Sequence, residues 1–217
     1  MTRSIPALLL SVVCLSVAGR AAAQDPIPNI GPFVIDLHGT VPHFPSENAQ
    51  LEQSRDLVPG ELPGTGLGVH ASATVYVFKW KAITFGLGGD AAIARSHHSG
   101  ELISEGVLGR AVTERFTHVA PEISFNFGNG NGWSYLSGGI GRSTWSIVPD
   151  GAERLPADHQ PLETINYGGG AKWFLNRHLA FSVDARFYAV YPGIPDGDRP
   201  ASPRTTLLIA GAGISIK

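Results

Sequence analysis

Four carboxylates, Asp36, Asp90, Glu122 and Asp184, and two cations, Lys172 and Arg186, each stand on the polar parity of a segment whose other parity is apolar. Arg142 joins them if its own segment, broken by glycines, keeps phase, and His38, His70 and His118 are interspersed. Opposite charges gathered in a narrow interior must pair and hydrogen-bond, because an unpaired buried ion costs several kcal/mol. Two chemistries suit such a set: a structural salt-bridge plug, or a small gated pore that conducts when the pairs exchange partners. Other chemistries find less support. His70-x-Ser72 has residue types of a serine hydrolase, but both side chains share the inward parity, away from any substrate on the outer wall. His97-His98 lacks a third metal ligand, and Gly86-x-Gly88-Gly89 has no following helix to receive phosphate. No catalytic residue, metal or cofactor is expected.

The elements that must position these groups are long strands. From Leu162 to Tyr191 two alternating runs meet at a short polar turn, Asn176-Arg177-His178. In the second run Leu179, Phe181, Val183, Ala185, Phe187, Ala189 and Tyr191 share one parity, and Ser182, Asp184 and Arg186 share the other. Strand side chains alternate between faces, so one face is apolar and the other carries the charges. Each run lasts roughly twice the ~5–6 residues of an ordinary strand. Strands of ~10 residues with one apolar face match a membrane-spanning β-barrel. Lys172 and Asp184 lie about equally far from the turn at Arg177, so they are expected to pair, with Arg186 one inward step beyond.

The same alternation predicts strands over Gly31–Val41, Gly66–Lys79, about Ile83–Arg95, Glu114–Phe127, Trp133–Ile147 and Arg204–Ile216, eight in all. Pro121 removes a ladder donor inside the fourth strand, where a bulge or weakened pair is expected. Long polar links, Pro42–Thr65, Ser96–Thr113, Val148–Pro161 and Pro192–Pro203, follow the first, third, fifth and seventh strands. Short turns follow the second, fourth and sixth. A membrane barrel sorts its connections in this way, into longer extracellular loops and short periplasmic turns. A soluble sandwich has no physical reason to do so.

Only 16% of residues are charged, and the formal net charge of −2 with no basic stripe argues against a nucleic-acid partner. Residues 1–23 read as a cleaved secretory leader: Arg3, an apolar stretch from Ile5 to Ala18, then Ala21-Ala22-Ala23 before Gln24. Its removal takes Arg3, Arg20 and the only cysteine, Cys14, and lowers the formal charge from −2 to −4. A chain without thiols suits an oxidising compartment. Residues 24–30, with Pro26 and Pro28, form a short lead-in, and 31–217 a single barrel domain.

The stretches Gly168-Gly169-Gly170-x-Lys172-Trp173-Phe174-Leu175 and His178-Leu179-Ala180-Phe181-x-Val183-Asp184-x-Arg186-Phe187-Tyr188 carry a family likeness, as do Pro121–Phe127 and Gly138-Gly139-Ile140-Gly141. Through them the chain resembles the eight-stranded outer-membrane β-barrels, the OmpA-like transmembrane domain and its relatives. The resemblance implies an all-β, antiparallel, up-and-down barrel in the outer membrane. It implies contact with outer-membrane lipid, folding by the barrel-assembly machinery, and a monomer with a structural, adhesive or minor pore role. The chain departs from the pattern at Ile214-Ser215-Ile216-Lys217, where such barrels end on an aromatic residue read by that machinery. The peptidoglycan-binding domain of some relatives is not expected.

Trp80, Trp133, Tyr135, Trp145, Tyr167, Trp173, Phe187 and Tyr191 fall near predicted strand ends and are expected to form girdles at the membrane interfaces. The competing reading is a secreted or periplasmic soluble barrel that carries an apolar ligand. There the apolar face points inward, and Glu122, Lys172, Asp184 and Arg186 lie in water. Alternation alone does not say which face is inside.

Overall fold

A computed structural model describes residues 29–100, 102–104 and 107–217. The expected leader and all of the lead-in before Asn29 lie outside the described residues. The elements in chain order are β1 (Phe33–His43), α1 (Ala49–Ser54), β2 (Leu67–Trp80), β3 (Ile83–His98), β4 (Leu102–Ser104), β5 (Val107–Leu108), β6 (Val112–Asn129), β7 (Gly132–Pro149), β8 (Leu162–Phe174), β9 (Leu179–Val190) and β10 (Thr205–Ile216). A single 3-10 turn, Pro156–His159, precedes β8. The pair β4–β5 is a small separate two-stranded sheet, and the other eight strands close into one antiparallel barrel in the order β1-β10-β9-β8-β7-β6-β3-β2.

Closure joins the first strand to the last, from Ile35 opposite Ile216 to His43 opposite Leu208. All other neighbours in the barrel are sequential hairpins, so the topology is up-and-down. The turn end holds the links at 81–82, 130–131 and 175–178, together with both ends of the barrel; the opposite end holds the long loops. Lys81 takes a positive φ of 53° to reverse the chain in the two-residue link at 81–82. At Gly128 a φ of 143° and a Cβ that would fall 2.5 Å from the Gly132 carbonyl exclude a side chain.

Pro121 weakens pairing as its missing donor requires. The β6–β7 ladder runs from Val112 to Val119, lapses over Ala120–Glu122, and resumes at Ile123 in unchanged register. Gly139 fills the lapse, since a Cβ there would lie 2.0 Å from the Pro121 carbonyl oxygen. A register shift appears instead between Tyr76 and Phe78 on β2.

The two faces are sorted as the alternation demands, with the apolar one outside. Ile35, Leu37, Val69, Leu87, Ile93, Val119, Ile123, Leu136, Ile140 and Ile214 are all exposed on the outer wall. An apolar surface that wraps a whole barrel is far larger than the patches a soluble monomer tolerates. Inside, eight strands leave a space just wide enough for side chains.

The first long loop is not the exposed link its composition predicts. Asn48 caps α1 by accepting from the Leu51 N–H at 3.0 Å. Phe44, Leu51, Leu57 and Leu62 then pack into the loop end of the barrel against Phe116, Trp145, Ile147, Tyr188 and Leu207. A second apolar cluster, Ile30, Val34, Trp133 and Tyr135 with Tyr76 and Phe174, closes the turn end. The interior is therefore layered, apolar at both ends and polar between.

Candidate functional site

The polar layer is built by the inward parity of all eight barrel strands, so residues remote in sequence meet across a narrow lumen. β1 delivers Asp36, β8 delivers Lys172, and the ammonium donates to the carboxylate at 2.5 Å. Asp36 also accepts from Ser215 Oγ at 2.5 Å and Ser72 Oγ at 2.9 Å. The expected Lys172–Asp184 pair does not form. In the β8–β9 ladder Asp184 stands opposite Gly170, and Lys172 opposite Ser182. The long lysine side chain spans the lumen to β1, with its ammonium 4.5 Å from the Tyr135 ring centre.

Arg186 is the hub of the second cluster. Its guanidinium donates to Glu122 at 2.5 Å and Ser137 at 2.9 Å, and lies 3.0 Å from Asp184. Asp184 accepts from the Tyr135 hydroxyl at 2.6 Å. Asp90 accepts from Asn166 Nδ2 at 2.6 Å and faces His70 Nε2 at 3.5 Å. His70 stacks on His38 with ring centres 5.7 Å apart, His38 bonds Ser182 at 2.7 Å, and His118 bonds Ser143 at 2.9 Å. Nine of the ten predicted lumen residues thus face the interior. Between the two ion-pair clusters remains a void of only about 10 Å³, bordered by Asp36, Glu122, Tyr135, Lys172 and Arg186.

Arg142 is the exception. It is exposed on the outer wall, in phase with Leu136 and Ile140 and opposite Glu163 across the β7–β8 ladder. The glycines of β7 cause no slip, so its parity holds throughout. The same parity corrects three aromatic assignments. Trp133, Tyr135 and Trp145 are buried inside, at 3%, 6% and 0% exposure, because each is out of phase with Leu136 and Ile140. Trp80, Tyr167, Trp173 and Phe187 lie exposed on the outer wall. Tyr191 is half-buried just beyond β9, where Arg204 lies 4.7 Å from its ring centre.

A third polar cluster escaped the sequence reading. Arg55, completely enclosed after α1, lies 2.9 Å from Asp158 and donates to the carbonyls of Trp145 and Ala157. Asp158 also accepts from the Ile147 and Leu155 N–H groups at 2.9 Å each. Trp145 Nε1 donates to Glu114 at 2.7 Å. Glu114 was legible, since it shares parity with His118 and Glu122. Arg55 and Asp158 lie in loops, where no periodicity marks an inward side chain.

Outside this cluster an ion pair latches the first loop to the next. Arg110 donates to Glu61 through Nη2 at 2.7 Å, Nε at 3.0 Å and its backbone N–H at 2.8 Å. Burial pushes the Glu61 carboxyl up, but the Arg110 side chain and the Arg110 and Val58 N–H groups outweigh it and hold it down to about 2. A depressed carboxyl stabilises the fold fully above its ordinary value of 4.5, and that contribution fades as pH falls toward about 2. Protection against hydrogen exchange in residues 44–66, taken relative to the intrinsic amide rate at each pH, is therefore expected to stay high down to about pH 4.5 and to fall below it. Glu61→Gln should exchange faster at neutral pH and show no further acid step in that window. Identical profiles for the two proteins would remove the latch.

No family model and no curated protein matches the sequence. Solved structures do. Neisserial surface protein A is similar at a TM-score of 0.53 and 10% identity, over 86% of this chain and 97% of that one. Ail, the attachment invasion locus protein of Yersinia pestis, solved in complex with the heparin analogue sucrose octasulfate, is similar at a TM-score of 0.50 and 12% identity. That likeness covers 85% of this chain and 96% of Ail. With its closed eight-strand topology, apolar outer wall and filled polar interior, this chain has the fold of the eight-stranded outer-membrane β-barrels.

Proposed function

We propose that this chain is a non-enzymatic, monomeric outer-membrane barrel with a closed lumen, which acts through its wall and its exposed loop end. In this reading the assembly machinery folds it, outer-membrane lipid surrounds it, the loops face outward and the short turns face the periplasm. The observation that carries it is the inversion of polarity, with apolar side chains outside and ion pairs inside. A soluble carrier needs the opposite arrangement and room for its ligand, whereas the space among the ion pairs is about 10 Å³. The same filling, with apolar clusters at both ends, favours the structural plug over the pore.

The loop end offers an adhesive surface, where Gln53, Asp56, Asp196, Asp198 and Arg199 line an open cleft of about 760 Å³. Ail was solved with a sulfated heparin analogue. The acid-rich cleft here is poorly matched to such a polyanion, so an adhesive partner would differ in charge.

The test is fractionation followed by bilayer recording. The protein should sediment with outer membranes, need detergent to stay monodisperse, migrate differently before and after boiling, and conduct no current in planar bilayers. Recovery as a soluble monomer after osmotic shock would sink the membrane reading, and steady unitary conductance would restore the pore.

A further inference from the structure

High on the outer wall, three arginines border one groove. Arg95 on β3 and Arg115 on β6 are direct cross-strand partners, and both side chains point outward. Ser146 on β7 stands opposite Arg115, and Arg154 closes the groove from the following loop. The space is about 330 Å³ and also touches Thr113 and Asp150. Asp150 accepts weakly from Thr113 Oγ1 at 3.4 Å, so one carboxylate faces three guanidinium groups. Among the described residues none of the three arginines makes an ion pair, whereas Arg55 and Arg110 at the same end of the barrel each have a carboxylate partner. Like charges directly opposite on a sheet are destabilising, so this pair works against the barrel unless an anion sits between them.

Height on the wall identifies the anion. Arg95 lies twelve residues along β3 from Ile83, and Arg115 twelve along β6 from Phe127, both at the turn end. At about 3.3 Å per residue and a tilt of about 40°, the arginines stand roughly 30 Å above that edge. The apolar band of such barrels is about 25 Å tall, which places the arginines at its upper rim. Ile93 and Val119, both exposed, are the outward apolar residues just below them on the same strands. The groove is thus continuous with the lipid-facing wall, and its charge complements a phosphate, which guanidinium binds with paired N–H donors.

We propose that this groove docks the phosphorylated headgroup of an outer-leaflet lipid, with Arg95 and Arg115 bridging one phosphate and Arg154 approaching from the loop. The inference rests on the outer-membrane reading. It makes the groove a fixed anchor between barrel and leaflet rather than a patch of solvated charge.

The test uses the full chain in phosphatidylcholine nanodiscs, titrated with a diphosphorylated disaccharide glycolipid and followed by native mass spectrometry and thermal unfolding. Parallel arms use the same glycolipid stripped of phosphate, inorganic pyrophosphate, and a sulfated oligosaccharide. Wild type should bind the phosphorylated glycolipid at least tenfold more tightly than the stripped one, and Arg95→Gln/Arg115→Gln should erase that preference. Without glycolipid the double variant should unfold at the same or a higher temperature, since a repulsive pair is gone; a merely structural role predicts a loss. An unchanged preference in the variant overturns the inference. So does pyrophosphate or the oligosaccharide binding through these arginines as tightly as the glycolipid. Failure of the wild type to enter nanodiscs overturns the outer-membrane reading first, and is distinguishable from loss of binding in an inserted barrel.

Discussion

Arg186→Met should cost about 3–5 kcal/mol of barrel stability, the range for stranding charges in a protein interior. The guanidinium is 2% exposed and holds two carboxylates, Glu122 at 2.5 Å and Asp184 at 3.0 Å. Methionine fills much of the volume, so packing loss is a minor part of the effect. What remains is a pair of acids in a lumen whose nearby void, about 10 Å³, admits scarcely one water. Ser137 loses its donor at the same time, while the Tyr135 hydroxyl stays bonded to Asp184. The triple variant Arg186→Met/Glu122→Gln/Asp184→Asn should recover most of the loss, because a neutralised site no longer carries unpaired charge. Urea unfolding in detergent, followed by tryptophan emission and gel migration, measures both. A loss below about 1 kcal/mol would mean that the site is hydrated and the lumen open.

Asp36→Ala should be comparably damaging, at about 3–5 kcal/mol, and Lys172→Met should partly rescue it. Asp36 gathers one ammonium and two hydroxyls from strands on both sides and across the lumen. Its loss removes the one carboxylate that Lys172, itself 2% exposed, bonds directly, and leaves the Tyr135 ring 4.5 Å from the ammonium. A double-mutant cycle on Asp36 and Lys172 is expected to give a coupling near the upper end of the usual ~0.5–3 kcal/mol. The matching cycle on Asp184 and Lys172 should give less than half as much, because Asp184 is held by Arg186 and Tyr135 instead. Equal couplings would return the pairing to the one that distance from the β8–β9 turn suggests.

That difference marks what alternation along a strand can and cannot disclose. Parity placed Asp36, His38, His70, Asp90, His118, Glu122, Lys172, Asp184 and Arg186 on one face, and the barrel turns that face inward. Partner choice depends on how strands stack around a closed cylinder. Lys172 meets Asp36 only because β1 and β10 close the barrel and the lumen is narrow enough for a lysine to cross. Trp133, Tyr135 and Trp145 were legible as inward from their phase against Leu136 and Ile140. Nearness to strand ends misassigned them, since an aromatic at a strand end can seal the interior as well as anchor the wall. The first loop was least legible. Its Pro, Glu, Asn and Gln content describes its outer surface, while Leu51, Arg55 and Glu61 reach their partners through a six-residue helix and contacts far along the chain.

The central claim is that the apolar face of the barrel lies in lipid while the polar face is sealed inside. Collision accessibility of single spin labels along β3 in phosphatidylcholine bilayers tests it most directly, since the chain's only cysteine, Cys14, precedes the barrel. Labels at Leu87, Ala91 and Ile93 should collide with oxygen dissolved in the bilayer and not with a water-soluble nickel complex. Labels at Ala92 and Ala94 should meet neither, and a label at Gln50 in the first loop should meet the nickel complex. High nickel accessibility at Leu87 and Ile93, or no difference between Ala91 and Ala92, would contradict the account.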